Sequence, residues 1–331
     1  MLWLTWRQFR TQAITGAITA GIGALCLLVL GLRIRGDYAD TLSGCLPARC
    51  APGLVAGFEG RYDTVLTIAD LLLAAVPGLL GVFWGAPLIS AELAAGTQRL
   101  AWHQSVARTR WLAVKLAFTG LSAVAVAGLL GLLLTWSASP YDAVKGDRFA
   151  PLVFGARGLV PFAYAAFAVA LGAVTGLLLR RPVAAMGLTL AVFTGLQFAV
   201  PTALRPHYLP PRTADIRLDA TTLNHADGII LNGSTLTIGT VSLPDAWVVS
   251  AGHAVDASGA PPDPGRLNAC MAPGQFGRSI DCLAKLDLHV TATYHPETRY
   301  WPFQLIEAAL YALAAALLVG LGFRRIGRRT T

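Results

Sequence analysis

Six long apolar runs divide this chain, and they constrain its fold more than any other feature. Charge-free stretches cover Thr11–Leu32, Leu71–Ala91, Leu116–Tyr141, Gly158–Leu179 and Pro182–Leu204, and a sixth, Tyr300–Phe323, is interrupted only by Glu307. A helix needs about 20 apolar residues to cross the roughly 30 Å hydrocarbon core of a bilayer, and all six runs suffice. Lipid offers the backbone no hydrogen-bond partners, so a crossing segment must be a helix or a strand of a closed barrel. Runs of this length without period-two alternation predict helices.

Of the 331 residues, 55% are hydrophobic and only 13% charged, whereas soluble domains run near a quarter charged. The net charge of +8 would suit a nucleic-acid binder, but its placement argues for no nucleic-acid partner. With a cytoplasmic N-terminus, the inner segments carry Arg7, Arg10, Arg99, Arg108, Arg110, Lys115, Arg180, Arg181, Arg324, Arg325, Arg328 and Arg329, and Glu92 is the only acid among them. The remaining cations are spread over longer outer segments, which is the positive-inside asymmetry. The reading is a multi-pass plasma-membrane protein with both termini in the cytoplasm and inner arginines that meet anionic membrane lipids.

The same topology sorts the cysteines. Cys26 lies within the first run, while Cys45, Cys50, Cys270 and Cys282 fall in outer, oxidising segments, where four cysteines close two disulfides. Of three possible pairings, the local one is expected, Cys45 with Cys50 and Cys270 with Cys282. No Cys-x2-Cys or paired-histidine spacing favours a metal site instead. Leu42-Ser43-Gly44-Cys45 looks like a lipoprotein cleavage box, but the charged stretch Arg33–Asp40 separates it from the apolar core, so the first run reads as an uncleaved anchor.

The chain divides into three regions. Residues 1–204 form a membrane domain of helices 1–5, opened by an N-terminal interfacial elbow helix with Trp3, Trp6 and Phe9 beside Arg7 and Arg10. Outer loops are expected near 33–63 and 137–157, and Arg180-Arg181 ties runs four and five into a tight hairpin. Residues 205–299 form an extracytoplasmic β-rich domain, and 300–331 form transmembrane helix 6 with a basic cytoplasmic tail. In the β-rich stretch, Ile229–Ile238 reads as a hairpin across Asn232-Gly233, since both turn positions need positive φ. Ile216 and Leu218 alternate with Arg217 and Asp219, and Leu288, Val290, Ala292 and Tyr294 alternate with His289, Thr291 and Thr293, giving two more strands. His207, His225, His253, His289 and His295 match no His-Glu-x-x-His pattern and are expected at the solvated surface. The expected fold class is an all-α polytopic membrane protein, six transmembrane helices with a small β-rich domain between helices 5 and 6.

The link between runs two and three holds the residues that look selected for work: Glu92, Gly96-Thr97, Arg99, Leu100, Arg108-Thr109-Arg110 and Lys115. Thr97 would cap a short helix, and the flanking arginines would make it a rigid knob for a soluble partner. This order of residues resembles the cytoplasmic segment of type-2 ATP-binding cassette permeases, with Ser105 standing where many members carry proline. Trp6-Arg7-Gln8-Phe9-Arg10, Gly81–Pro87 and Tyr300–Gln304 are similar to the same family, and the likeness runs through all six spans but not the β-rich region. The resemblance implies ATPase coupling through Glu92, Gly96, Thr97, Arg99, Arg108, Arg110 and Lys115, a separate cytoplasmic ABC ATPase subunit, a dimer with a second permease copy or a sibling permease, and export of a cargo. The only lysines, Lys115, Lys145 and Lys285, do not follow glycine, so the chain carries no Gly-x4-Gly-Lys-Ser/Thr phosphate loop. It is read as no enzyme and as needing no cofactor. The rival reading is a membrane-anchored extracytoplasmic binding or sensor protein in which the β-rich domain does the work.

Acids within spans cost roughly 2.5 to 3.5 kcal/mol near a helix centre, so Asp70 and Glu307 each call for an explanation. With Gln197 at a comparable depth they form an expected intramembrane polar layer, which is either a gate or substrate contact or a set of wetted side chains at a funnel edge. Gly81/Gly85 and Gly172/Gly176 permit close helix contact and make a candidate dimer face.

Overall fold

The computed structural model describes residues 2–42, 44, 50–95, 107–224, 229–232, 235–238, 243, 246–270 and 276–327. Among the described residues, six helices are long and apolar enough to cross a membrane: span 1 (Ala13–Thr41), span 2 (Gly53–Ala95), span 3 (Thr109–Lys145), span 4 (Val160–Leu179), span 5 (Pro182–His207) and span 6 (Glu297–Gly327). A three-stranded antiparallel sheet lies in the sequence between spans 5 and 6, so the expected fold class holds. The chain divides into two compact units, Met1–Arg205 with Trp301–Thr331, and Pro206–Tyr300.

The membrane helices outrun their charge-free stretches. Residues 1–10 were expected as a separate elbow, but Leu2–Thr41 is one continuous helix. The expected loop at 33–63 is mostly helix too: the next helix opens at Pro52, where proline suits a first turn, and runs to Leu80. At 137–157 the helix continues to Lys145 before Gly146 stops it at φ 69°, and a short helix, Pro151–Ala156, comes next. These extensions are amphipathic. Ile34, Leu42, Phe58, Tyr62, Leu66, Ala138 and Tyr141 share one apolar cluster, while Asp37 pairs with Arg61 at 2.7 Å and Asp63 pairs with Lys145 on the wetter side. A helix needs only one apolar face to pack, so it does not end where the uncharged run ends.

Span 4 is the centre of its unit and packs on spans 2, 3 and 5, whereas span 1 packs chiefly on span 3. The span 2 to span 4 crossing is close. A Cβ added to Gly172 would lie 2.4 Å from the Gly81 carbonyl oxygen, and one added to Gly176 would lie 2.5 Å from that of Ala86. The glycine pairs expected to mark a dimer face are therefore used inside the chain. Pro87 has no N–H to give an ordinary helical turn, and Gly81–Gly85 forms a π turn just before it, with the Ala86 N–H bonded to the Gly81 carbonyl. Spans 4 and 5 make the expected tight hairpin: Arg180, at φ 54°, donates its N–H to the Gly176 carbonyl at 3.0 Å, and Pro182 opens the next helix.

In the Pro206–Tyr300 unit, strands β1 (Arg212–Arg217), β2 (Ile229–Asn232), β3 (Thr235–Ile238), β4 (Ala246–Ala251) and β5 (His289–Pro296) build a sheet of order β1-β5-β4 and a separate β2-β3 hairpin. The hairpin register, Asn232 opposite Thr235, fits the expected turn; Gly233 itself lies outside the described residues. Leu218, Leu223, Leu236, Leu267, Ile280, Leu283, Leu288 and Val290 form the core. Cys270 and Cys282 are disulfide-bonded, with Cα atoms 5.3 Å apart, and Cys26 is free. Cys50 is also disulfide-bonded, and its expected partner Cys45 lies outside the described residues. His225 lies outside them as well.

His295 departs from the surface position expected for it, being fully buried. Its Nε2 donates to the Pro206 carbonyl at 3.1 Å, its Nδ1 accepts from Arg299 Nη1 at 2.9 Å, and Trp247 lies beside the ring. Both ring nitrogens have partners, which removes most of the cost of burying them.

Candidate functional site

At the link between spans 2 and 3, Gly96, Thr97 and Arg99 lie outside the described residues, as do Leu100, Ser105 and the side chain of Arg108. The base of the link is described, and there two of the expected residues meet. Lys115 Nζ donates to Glu92 Oε1, joining the end of span 2 to the start of span 3. Lys115 is buried, and its ammonium lies 5.0 Å from the Trp111 ring centroid. Ile89, Trp111, Leu112, Leu177 and Ile326 pack around the same region, whereas Arg110 is exposed. Lys115 is buried and Glu92 half-buried, so removing either partner would leave the other charge poorly solvated.

The three polar residues expected within the spans do not bond to one another. Asp70 binds Arg157, accepting from Nε at 2.7 Å and from Nη2 at 2.6 Å, and Arg157 Nη1 donates to Asp142 at 2.5 Å. Burial alone would lower the pKa of Arg157, but its bond to Asp70 and the charges of Asp142 and Asp70 outweigh that and raise it. Glu307 instead binds Arg205, whose Nε and Nη2 donate at 2.9 Å each, and takes a third bond from the Tyr164 hydroxyl. The Arg205 guanidinium lies over the Phe154 ring, 3.9 Å from its centroid. Gln197 joins neither pair: its Oε1 is buried without a hydrogen-bond partner among the described residues.

Between the two pairs lies the elbow from Pro151–Ala156 into span 4. Gly158 turns the chain at φ 72°, a conformation that costs glycine little, and its N–H donates to Thr135 Oγ1 at 2.8 Å. The first N–H groups of a helix have no internal acceptor, and Gln304 of span 6 supplies one. Its Oε1 accepts from Leu159 and Val160 at 3.0 Å each, and its Nε2 donates to the Phe154 carbonyl at 3.0 Å. Arg157 thus fixes the elbow to spans 2 and 3, while Gln304 and Arg205 fix it to spans 6 and 5.

The sequence pattern places Arg157 and Arg205 among outer-loop cations, does not single out Asp142 or Tyr164, and marks Gln304 only as part of the Tyr300–Gln304 stretch. A signal was present. An acid at depth requires a cation at the same depth, and these two arginines flank the start of span 4 and the end of the charge-free part of span 5. Arg205 comes directly after a second π turn, Val200–Leu204, in which its N–H bonds the Val200 carbonyl. The extra residue rotates Arg205 and its successors by about 100° around the helix axis, a phase no 3.6-residue pattern anticipates.

The family model described as ABC-2 membrane transporter related matches residues 17–205. No curated protein and no solved structure matches the chain.

Proposed function

The chain belongs to the ABC-2 membrane transporter related family, which makes it an ABC transporter membrane subunit, and we propose that it is the permease of an exporter driven by a separate cytoplasmic ATPase. On this reading both termini and the span 2 to span 3 link face the cytoplasm of a plasma-membrane protein, and the Pro206–Tyr300 unit is extracytoplasmic. Two permease copies, or this chain and a sibling, enclose the path. Closure of the ATPases on ATP moves the link, the Glu92–Lys115 pair carries that motion into spans 2 and 3, and the Arg157 and Arg205 pairs hold the elbow that seals the outer end between cycles.

The observation that carries this reading is the half-buried Glu92–Lys115 bond at the base of the link, in the order of residues that resembles the coupling segment of the family. Purification of the tagged chain from its native membrane should bring a Walker-type ATPase with it. Lys115→Met should uncouple that ATPase from transport while the two subunits still assemble. Substrate flux that persists after the ATPase is removed would refute the proposal in favour of ion-coupled transport. The separate compactness of Pro206–Tyr300 favours one rival, a membrane-anchored sensor. Deletion of residues 210–295 separates the two, because a permease should keep ATP-coupled movement and a sensor should lose all function.

A further inference from the structure

The extended ends of spans 2 and 3 border a small cleft that is open to solvent, with Asp63, Asp70, Tyr141, Asp142, Lys145 and Arg157 among its lining. Asp147 lines it too, so four carboxylates face Lys145 and Arg157, with Arg148 beside Asp142 as a third cation. The surplus acid is not evenly placed. Asp70 gives both oxygens to Arg157, whereas Asp142 gives it only Oδ1 and holds Oδ2 at 3.8 Å from Arg148 Nε. Asp63 takes both the Tyr141 hydroxyl and Lys145 on Oδ1, leaving Oδ2 without a donor among the described residues.

Lys145 shows what this cleft accepts. Its ammonium sits against Asp63 with the Tyr141 ring centroid 5.6 Å away, the carboxylate-and-aromatic environment that suits an ammonium. Yet Lys145 is poorly tied down: its side chain is 42% exposed, and it is the last residue of its helix, just before Gly146 at φ 69°. Metal ions fit less well, since no group of three or more His, Cys, Asp or Glu among the described residues is placed to hold one.

We propose that this cleft binds the ammonium group of an amine, carried by a transported organic cation or by an aminophospholipid headgroup, and that Lys145 occupies the site until such a group displaces it. This assigns a ligand class to the permease proposed above, but the binding itself needs neither ATP nor ATPase.

The test is binding of hexylammonium to the purified full-length chain in a neutral detergent, read as a saturable thermal shift, with hexanol and hexyl sulfate as controls. Hexylammonium should bind and the controls should not. Lys145→Ala removes the tethered competitor and should tighten binding about fivefold, while Asp63→Asn and Asp147→Asn, both on the exposed side, should each weaken it by a similar factor. A purely structural Lys145 would give the opposite result. Unchanged or weaker binding in Lys145→Ala, or equal binding of hexanol, would overturn the proposal. Two vesicle arms distinguish the source: competition by phosphatidylethanolamine but not phosphatidylcholine identifies a lipid headgroup, and ATP-driven hexylammonium flux in phosphatidylcholine identifies a cargo. Binding without ATP-driven movement of any cargo would refute the exporter and leave this site standing, and the reverse outcome would refute the site alone.

Discussion

In span 1 only 6% of the most apolar window is buried within the protein, and in span 4 the share is 72%, although the two helices are almost equally apolar. Their difference lies in bulk and spacing. Ile14, Ile18, Ile22, Leu25 and Leu32 project from span 1 and remain exposed, as suits a surface facing lipid tails. The span 4 residues Ala165, Ala168, Ala170, Gly172 and Ala173 are small and let neighbouring backbones approach. A lipid tail solvates leucine as well as another leucine does, so apolarity places a helix in the bilayer but does not choose its neighbours. Close packing and polar bonds do that.

The largest effect that would sharpen this contrast comes from the bonds holding the elbow at the start of span 4. Glu307→Gln takes from Arg205 the carboxylate that accepts two of its N–H groups, and should lower the stability of the purified chain by about 3–5 kcal/mol in thermal unfolding. A wild-type melting curve would show that span 4 is anchored some other way. Gly172→Ala comes next. Its new methyl would stand 2.4 Å from the Gly81 oxygen and 2.7 Å from the Ala86 nitrogen, both backbone atoms, at a cost of about 1–3 kcal/mol.

A pH titration reaches the other unit and leaves the contrast between spans untouched. Burial, with the nearby Arg299 charge, holds His295 below its ordinary value of 6.5, although its bond to the Pro206 carbonyl opposes them. A depressed folded pKa means that the unfolded chain binds the proton more readily. The stability is therefore present above pH 6.5 and is lost as pH falls below it. Near-ultraviolet circular dichroism, which reports on Trp247 beside the ring, should track this loss, and His295→Gln should flatten it. The smallest effect belongs to span 1: a Cβ at Gly21 meets nothing within 4 Å, so Gly21→Ala should be neutral or stabilising by up to about 1 kcal/mol. If Gly21→Ala proved as damaging as Gly172→Ala, span 1 would have a partner that the isolated chain does not contain.

Features that depend on neighbours in the sequence were legible. Long uncharged runs identify spans, alternation across Asn232-Gly233 identifies the β2-β3 hairpin, and the short spacing of Cys270 and Cys282 favours their bond. Strand β4 was missed because Ala246–Ala251 places apolar residues side by side without alternation. Of the residues proposed for coupling, Glu92 and Lys115 could be named from their order, but only folding brings them into contact.

The sequence by itself determined that this chain crosses a membrane six times through helices, because hydrocarbon excludes unpaired backbone and the length of each apolar run is a local property. Tertiary structure alone decided which helix stands at the centre, which arginine answers each buried acid, and that His295 turns inward. Those outcomes depend on atoms distant in the chain, such as Asp70 and Arg157, 87 positions apart, coming within 3 Å of each other, and no local pattern of residues encodes such a distance.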